Sequence, residues 1–281
     1  MIFFLGLSAC GRINFDPLDF ATGDASGDGF GSGVSCSPSA PFTTVRPISE
    51  LNTATEIDGA LRLTPDERTA CFHAQRGGGM FTVYFASRAD RTLPFEQPTV
   101  GLTGVTFDVY WPALTSDALT LFADDTAEVY LSNRADRSQP FSGVAGIGGV
   151  STPGTETTPF LTIAGDRLYF TRDGAVYETP WPQPGPVAMV AGLDTLAVER
   201  AAVLSLDEHV VYFARKVGAT EHIFVATRPD RQSPFTNVAA VAEVSSPMDE
   251  APTWLSPDLC RLYFESARTG VYDIYIAERT P

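Results

Sequence analysis

The stretch LSPDLCRLYFESARTGVYDIYIAER, Leu255 to Arg279, holds two segments of period-2 alternation, Arg261-Leu262-Tyr263-Phe264 and Asp273-Ile274-Tyr275-Ile276-Ala277, separated by a polar turn with Gly270. Such alternation marks half-buried strands. Pro252-Thr253-Trp254-Leu255 precedes the turn at Ser256-Pro257-Asp258 and reads as an inner strand, while Phe235-Thr236-Asn237-Val238-Ala239 upstream begins a further one. Four related copies lie before this one: LTPDERTACFHAQRGGGMFTVYFASR from Leu63, LTSDALTLFADDTAEVYLSNR from Leu114, LTIAGDRLYFTRDGAVYETPW from Leu161 and LSLDEHVVYFARKVGATEHIFVATR from Leu204. Their starts are about 43 to 51 residues apart, a period typical of four-stranded units arranged around a ring.

Composition agrees with that reading. Among 281 residues, 44% are hydrophobic and 19% charged, as in an ordinary folded chain, and 24 Gly with 21 Pro supply many turns between short strands. Five copies of one unit favour a single domain over residues 41–281, an all-β five-bladed β-propeller. The formal net charge of −15 excludes nucleic acid as an expected partner, because phosphate binding needs clustered Lys and Arg. Anionic membrane surfaces are disfavoured by the same sign.

On the turn Ser256-Pro257-Asp258, the following Tyr263-Phe264 and the Asp273-Ile274-Tyr275 strand, the chain resembles the TolB-type β-propeller repeat family over residues 42–281. Departures occur: Thr115-Ser116-Asp117 and Ser205-Leu206-Asp207 lack the proline, and Ala164 stands where the third copy should carry aspartate. The resemblance implies an envelope location and action through protein partners. Closure follows from the chain ends. The last copy stops after its third strand, and Phe42-Thr43-Thr44-Val45 opens the domain as an unattached outer strand, so the N-terminal strand should complete the last blade. Ala40-Pro41-Phe42, Leu93-Pro94-Phe95, Gln139-Pro140-Phe141 and Ser233-Pro234-Phe235 mark the start of the outer strand in four blades, and Gly185-Pro186 replaces the motif in the other.

Ahead of the domain, Met1 to Gly6 is apolar and leads into Leu7-Ser8-Ala9-Cys10-Gly11, which resembles the lipobox of bacterial lipoproteins. Residues 1–9 then form a signal segment and Cys10 carries a lipid anchor, the sole membrane attachment. The run lacks a basic n-region, so further basic residues are expected before Met1. A chance apolar N-terminus on a cytosolic protein is the plain alternative. Residues 10–40, rich in Gly, Ser, Asp and Ala, cannot bury apolar area and read as a flexible linker. The expected location is the bacterial cell envelope, facing the periplasm or exposed at the surface.

Three polar elements recur. The turn aspartates Asp66, Asp117, Asp207 and Asp258 should accept nearby backbone amides. Arg88-Ala89-Asp90-Arg91, Arg134-Ala135-Asp136-Arg137 and Arg228-Pro229-Asp230-Arg231 follow third strands and suggest a polar latch between blades. The third element is an acid before each inner strand, Asp58, Asp108 (offset by one), Glu156, Glu199 and Glu250, on the same face as Arg76, Arg172, Arg215 and Arg268. These nine residues are the candidate binding face at the mouth of a funnel, or else a ring of salt bridges closing it. His73, His209 and His222 are not spaced as metal ligands, and neither HExxH nor Gly-x-Ser-x-Gly occurs. No cofactor is expected. The function that emerges is a non-catalytic, lipid-anchored module binding another envelope protein. The alternative is a carbohydrate-active enzyme using carboxylates in the channel, as five-bladed glycosidases do.

Export brings the cysteines into an oxidising compartment. Cys71 aligns with Tyr263 inside an alternating apolar strand and reads as a buried, inert thiol. Cys260 lies in the turn between first and second strands of the last blade, on the face where the outer strand starts, and Cys36 sits six residues before Phe42. A Cys36–Cys260 disulfide is therefore expected.

Overall fold

The computed structural model describes residues 36–280, which form five four-stranded antiparallel sheets. The signal segment, Cys10 and most of the linker lie outside these residues. Blade 1 comprises β2 (Asp58–Leu63), β3 (Thr69–Gln75), β4 (Phe81–Ser87) and β5 (Thr99–Val100). A short β6 (Leu102–Thr103) follows. Blade 2 comprises β7 (Tyr110–Leu114), β8 (Thr120–Asp124), β9 (Val129–Asn133) and β11 (Ala145–Gly146), and β10 (Phe141–Ser142) pairs in parallel with β6. Blade 3 is β12 (Glu156–Leu161), β13 (Arg167–Arg172), β14 (Ala175–Pro180) and β15 (Ala188–Met189). Blade 4 is β16 (Glu199–Leu204), β17 (Val210–Val217), β18 (Thr220–Thr227) and β19 (Thr236–Ala240). Blade 5 joins β20 (Glu250–Leu255), β21 (Arg261–Ser266) and β22 (Asp273–Glu278) to β1 (Thr44–Pro47). The chain is thus an all-β five-bladed propeller.

Inner strands must be covered on both faces, and β2 and β20 are buried along their whole length, whereas outer β19 is exposed throughout. Separate apolar cores fill the spaces between blades. Leu61, Phe72 and Trp254 join blades 1 and 5; Cys71, Leu121 and Phe141 join 1 and 2; Phe122, Leu161 and Phe170 join 2 and 3. A larger core around Phe160, Phe213 and Phe264 unites blades 3, 4 and 5. Every neighbouring pair therefore shares a core, and the ring is closed. Gly192, at φ 89°, shows how tightly one blade approaches the next: a Cβ there would lie 2.0 Å from the Phe235 carbonyl oxygen.

Closure uses the N-terminal strand, with Thr44 opposite Glu278 and Pro47 opposite Tyr275. Phe42 tucks beneath Arg279, whose guanidinium sits 4.1 Å from the ring centroid and donates to the Ala40 carbonyl and Tyr212 hydroxyl. Cys36 and Cys260 are joined by a disulfide with Cα atoms 5.8 Å apart. A bond of this kind belongs to oxidising compartments, and it marks the protein as extracytoplasmic. Cys71 is a free, fully buried thiol.

The Pro-Phe segments mark the strand start in two blades, with Phe235 directly before β19 and Phe42 two residues before β1, but not in blades 1 and 2. Phe95 and Phe141 lie four residues before β5 and β11. The rings are seats for the arginine that ends each third strand: Arg88 stacks on Phe95, Arg134 on Phe141 and Arg228 on Phe235, at 4.2 to 4.5 Å. Each arginine also donates to the carbonyl of the left-handed residue in its own first turn, Glu67, Ala118 or Glu208. The first arginine thus ties its own blade together, and Arg228 also donates to the Tyr169 hydroxyl of blade 3. The second makes the link between blades in two cases, Arg91 to Asp258 and Arg231 to Asp166.

Candidate functional site

The turn aspartates accept backbone N–H groups two residues on, and each also receives the Thr or Ser hydroxyl that opens the turn. In the third copy, Asp166 takes the Thr162 hydroxyl in place of the absent acid at Ala164. These are structural acceptors.

Asp58, Glu156, Glu199 and Glu250 open the inner strands and are wholly buried. Each is held by an arginine of its own blade, and Glu250 also meets His222 Nδ1 of blade 4 at 3.2 Å. Arg76, Arg172 and Arg215 lie 2.8 to 2.9 Å from Asp58, Glu156 and Glu199, and Arg268 lies 3.6 Å from Glu250. The same arginines cover aromatic rings on the blade face, such as Phe170 and Tyr177 under Arg172, and donate to a carbonyl of the preceding connection. A hydroxyl from that connection completes each acid: Thr53, Thr152, Thr195 or Ser246. Asp108 differs. It is exposed and accepts the Phe81 N–H, and the buried position equivalent to the other acids holds Val109. The structure therefore places the nine candidate residues in four internal latches and one surface turn, not around an open mouth.

Nearer the axis lies a second ring, which the sequence did not signal. Every inner strand breaks register after its second residue or close to it, and Ala60, Trp111, Thr158 and Ala201 adopt positive φ there. Ordinarily glycine marks such a site. In blades 1 to 4 the freed N–H is captured by the neighbouring blade: Ala60 donates to Glu265, Trp111 to His73 Nδ1, Thr158 to Asp124 and Ala201 to the Thr158 hydroxyl. Burial pushes the carboxyls of Asp124 and Glu265 up to about 7. Burial, helped by the charge of Arg200, holds His73 down to about 3, which leaves Nδ1 free to accept. Ala60, Trp111, Ala201, Ala214 and Ala251 pack together at the centre.

Arg200 closes this centre from above. It forms a bidentate pair with Glu221, approaches Glu265 at 3.9 Å and lies over the Trp111 ring. Asp249 accepts the Glu221 N–H and the Tyr272 hydroxyl. Asp124, Glu221 and Glu265 thus gather about one guanidinium, and all are already engaged. Among the described residues, no group of three or more His, Cys, Asp or Glu side chains is arranged to hold a metal ion.

The two faces of the ring differ. Connections leading into the inner strands share an upper face with those joining second to third strands, as the bonds from Asp58 to Tyr272 and from Glu199 to Gly174 show. That face carries exposed Met80, Phe107, Leu196, Val198, Val217 and Met248. Among the described residues, the lower face, with the aspartate turns and the Arg-x-Asp-Arg loops, exposes only Leu93 and Leu206 as large apolar side chains.

No family model matches the chain, and no curated protein matches it. Solved structures do share its fold. TolB from Acinetobacter baumannii is 14% identical with a TM-score of 0.50, covering 81% of this chain and 56% of that one, so this chain spans little more than half of it. The α-L-arabinofuranosidase PaAbf62A from Podospora anserina, in complex with cellotriose, is 11% identical with a TM-score of 0.52, covering 82% and 93%. The catalytic domain of the Coprinopsis cinerea GH62 α-L-arabinofuranosidase is 10% identical with a TM-score of 0.54, covering 82% and 93%. At these identities the likeness is one of fold.

Proposed function

We propose that this chain is a non-catalytic, extracytoplasmic binding module that recognises another envelope protein through its upper face and is held at the membrane by a lipid on Cys10. The observation that carries this reading is the uneven distribution of exposed apolar side chains: Met80, Phe107, Leu196, Val198, Val217 and Met248 rim the upper face while the lower one carries Leu93 and Leu206. Apolar groups clustered on one face, around a polar centre of Arg200, Glu221 and Asp249, suit a protein partner. Catalysis is less well supported, because a general acid or nucleophile must be free to meet substrate. Asp124 and Glu265 accept backbone amides, and Glu221 is taken by Arg200.

A photo-crosslinking residue at Leu196 tests the proposal against the same residue at Leu93 in intact cells. A discrete adduct from Leu196 only, reduced at least tenfold by Met248→Asp, is expected. Equal labelling from both faces, or none from Leu196, rejects it. Turnover of an arabinofuranosyl substrate that is lost in Glu265→Gln would favour the enzyme reading instead.

A further inference from the structure

In two of the three Arg-x-Asp-Arg loops, the first arginine faces a carboxylate of its own blade, carried by the left-handed residue of the first turn. Glu208 in blade 4 takes both arginines of its loop, Arg228 at 3.2 Å and Arg231 at 2.8 Å, and the Tyr169 hydroxyl of blade 3 donates to it at 2.7 Å. Glu67 in blade 1 faces Arg88 at 3.8 Å and receives Arg261 and the Tyr263 hydroxyl of blade 5. Blade 2 breaks the pattern. Ala118 stands in place of the acid, at φ 54° against 58° for Glu67 and 59° for Glu208, and Cys71 of blade 1 takes the position that tyrosine holds at the other two boundaries.

The arginines of that loop remain without their acid. Arg134 donates to the Ala118 and Gln139 carbonyls and lies over the Phe85 and Phe141 rings, while Arg137 donates to the Asp117 carbonyl. Neither forms an ion pair among the described residues. Arg134 Nη2 has no acceptor there and keeps access to solvent, and Arg137 is exposed. Burial, and then the charge of Arg137, hold Arg134 below the usual arginine value, a fall that Asp136 reduces without cancelling. Asp136 itself accepts the Ser138 N–H. Both arginines line an open groove of about 450 Å3 between the outer strand of blade 1 and the loop of blade 2. That volume suits a small molecule or a chain end over a single ion. Phe85, Thr99 and Gly101 form part of its wall, and the acid at its edge, Glu96, is taken by the Ser87 hydroxyl.

We infer that this groove is a carboxylate-binding site, in which Arg134 and Arg137 take from a ligand the group that Glu208 supplies to Arg228 and Arg231 in blade 4. The class of ligand follows from the repeat. An equivalent arginine pair, its first member seated on the equivalent Phe ring and anchored on the equivalent carbonyl, already holds a carboxylate once in this chain. The net charge of −15 opposes any anion at long range, so the two arginines act by contact. The carboxylate belongs either to a small hydroxy acid or to the end of a peptide chain.

Nuclear magnetic resonance of the protein, isotope-labelled at arginine, tests the site. D-galacturonate and acetyl-trialanine are each titrated beside an uncharged counterpart, D-galactose and the C-terminal amide. The Nε–H signals of Arg134 and Arg137 should shift saturably with at least one acid and with neither neutral compound. A response to galacturonate alone assigns the small acid, and a response to the peptide alone assigns the chain end. Arg137→Met, at an exposed position, should weaken the response of Arg134 about tenfold. Ala118→Glu, which gives blade 2 the acid that blades 1 and 4 carry at the same backbone conformation, should abolish it. No response to either acid, an equal response to a neutral counterpart, or unchanged affinity in Arg137→Met overturns the inference. Should Ala118→Glu fail to fold, Arg137→Met decides.

Discussion

At the residue scale, the recurring unit is a buried acid, its arginine, a hydroxyl and two aromatic rings, and its energetics depend on what is left behind when one member is removed. Arg172→Met strands Glu156 without its cation in a wholly buried position. Removing one partner of a buried pair typically costs about 3 to 5 kcal/mol, and urea unfolding should register a loss of that order. Adding Glu156→Gln should restore most of it, whereas Arg46→Ala, which breaks an exposed pair with Glu278, should cost below about 1 kcal/mol. Equal losses from Arg172→Met and Arg46→Ala would show the latch to be ornamental. The acids and arginines of these latches were visible in the sequence because they keep step with the repeat. Asp108 misled because blade 2 carries valine at the equivalent place, and a nearby surface acid filled the pattern. Ala60, Trp111, Thr158 and Ala201 were invisible for another reason. Their positive φ is stabilised by acceptors on the next blade, so nothing local, such as a glycine, announces it.

At the element scale, strands with alternating or continuous apolar patterns were legible, and those without were not. β5, β11 and β15 are two residues long, and the Pro-Phe segments that drew attention before β5 and β11 are seats for arginine. The orphan strand at the N-terminus was legible through its absence elsewhere: blade 5 lacked a fourth strand. β1 is four residues long and mostly exposed, so pairing alone gives it little stability. Phe42, the stack with Arg279 and the disulfide hold it. The double variant Cys36→Ser, Cys260→Ser should lose about 2 to 4 kcal/mol in urea unfolding. Hydrogen exchange should quicken first in β1 and its partner β22, with β12 and β16 little changed. Uniform loss of protection across all five blades would instead mean that closure and global stability are one property.

At the scale of the whole molecule, the five-blade count and closure follow from the repeats, but the pH response belongs to the assembled ring, because it depends on groups that meet only across blades. Asp124 and Glu265, raised by burial to about 7, keep protons in the folded state that an unfolded chain releases near pH 4. Folded protein then binds more protons between about pH 4 and 7, and stability falls as pH rises through that window. His73 acts oppositely. Burial holds it down to about 3 against about 6.5 unfolded, so its contribution is lost as pH falls from about 6.5 towards 3. Asp136, Asp166, Asp207, Asp230 and Asp258, held below the usual carboxylate range, withdraw stability only below about pH 4. Asp273, also raised by burial, acts in the same direction as Asp124 and Glu265, so from pH 4 to 6.5 one histidine offsets only one of the raised carboxyls, and above 6.5 they are unopposed. The protein should be more stable at pH 5 than at pH 8, by on the order of a few kcal/mol. Arg200 faces both carboxyls, and the net charge of −15 adds repulsion in the same direction as pH rises, so the comparison needs a variant. Asp124→Asn combined with Glu265→Gln should flatten the decline while leaving the overall charge nearly unchanged. A decline of equal slope in that variant would assign the effect to surface repulsion and remove the ring of interblade acceptors from the account.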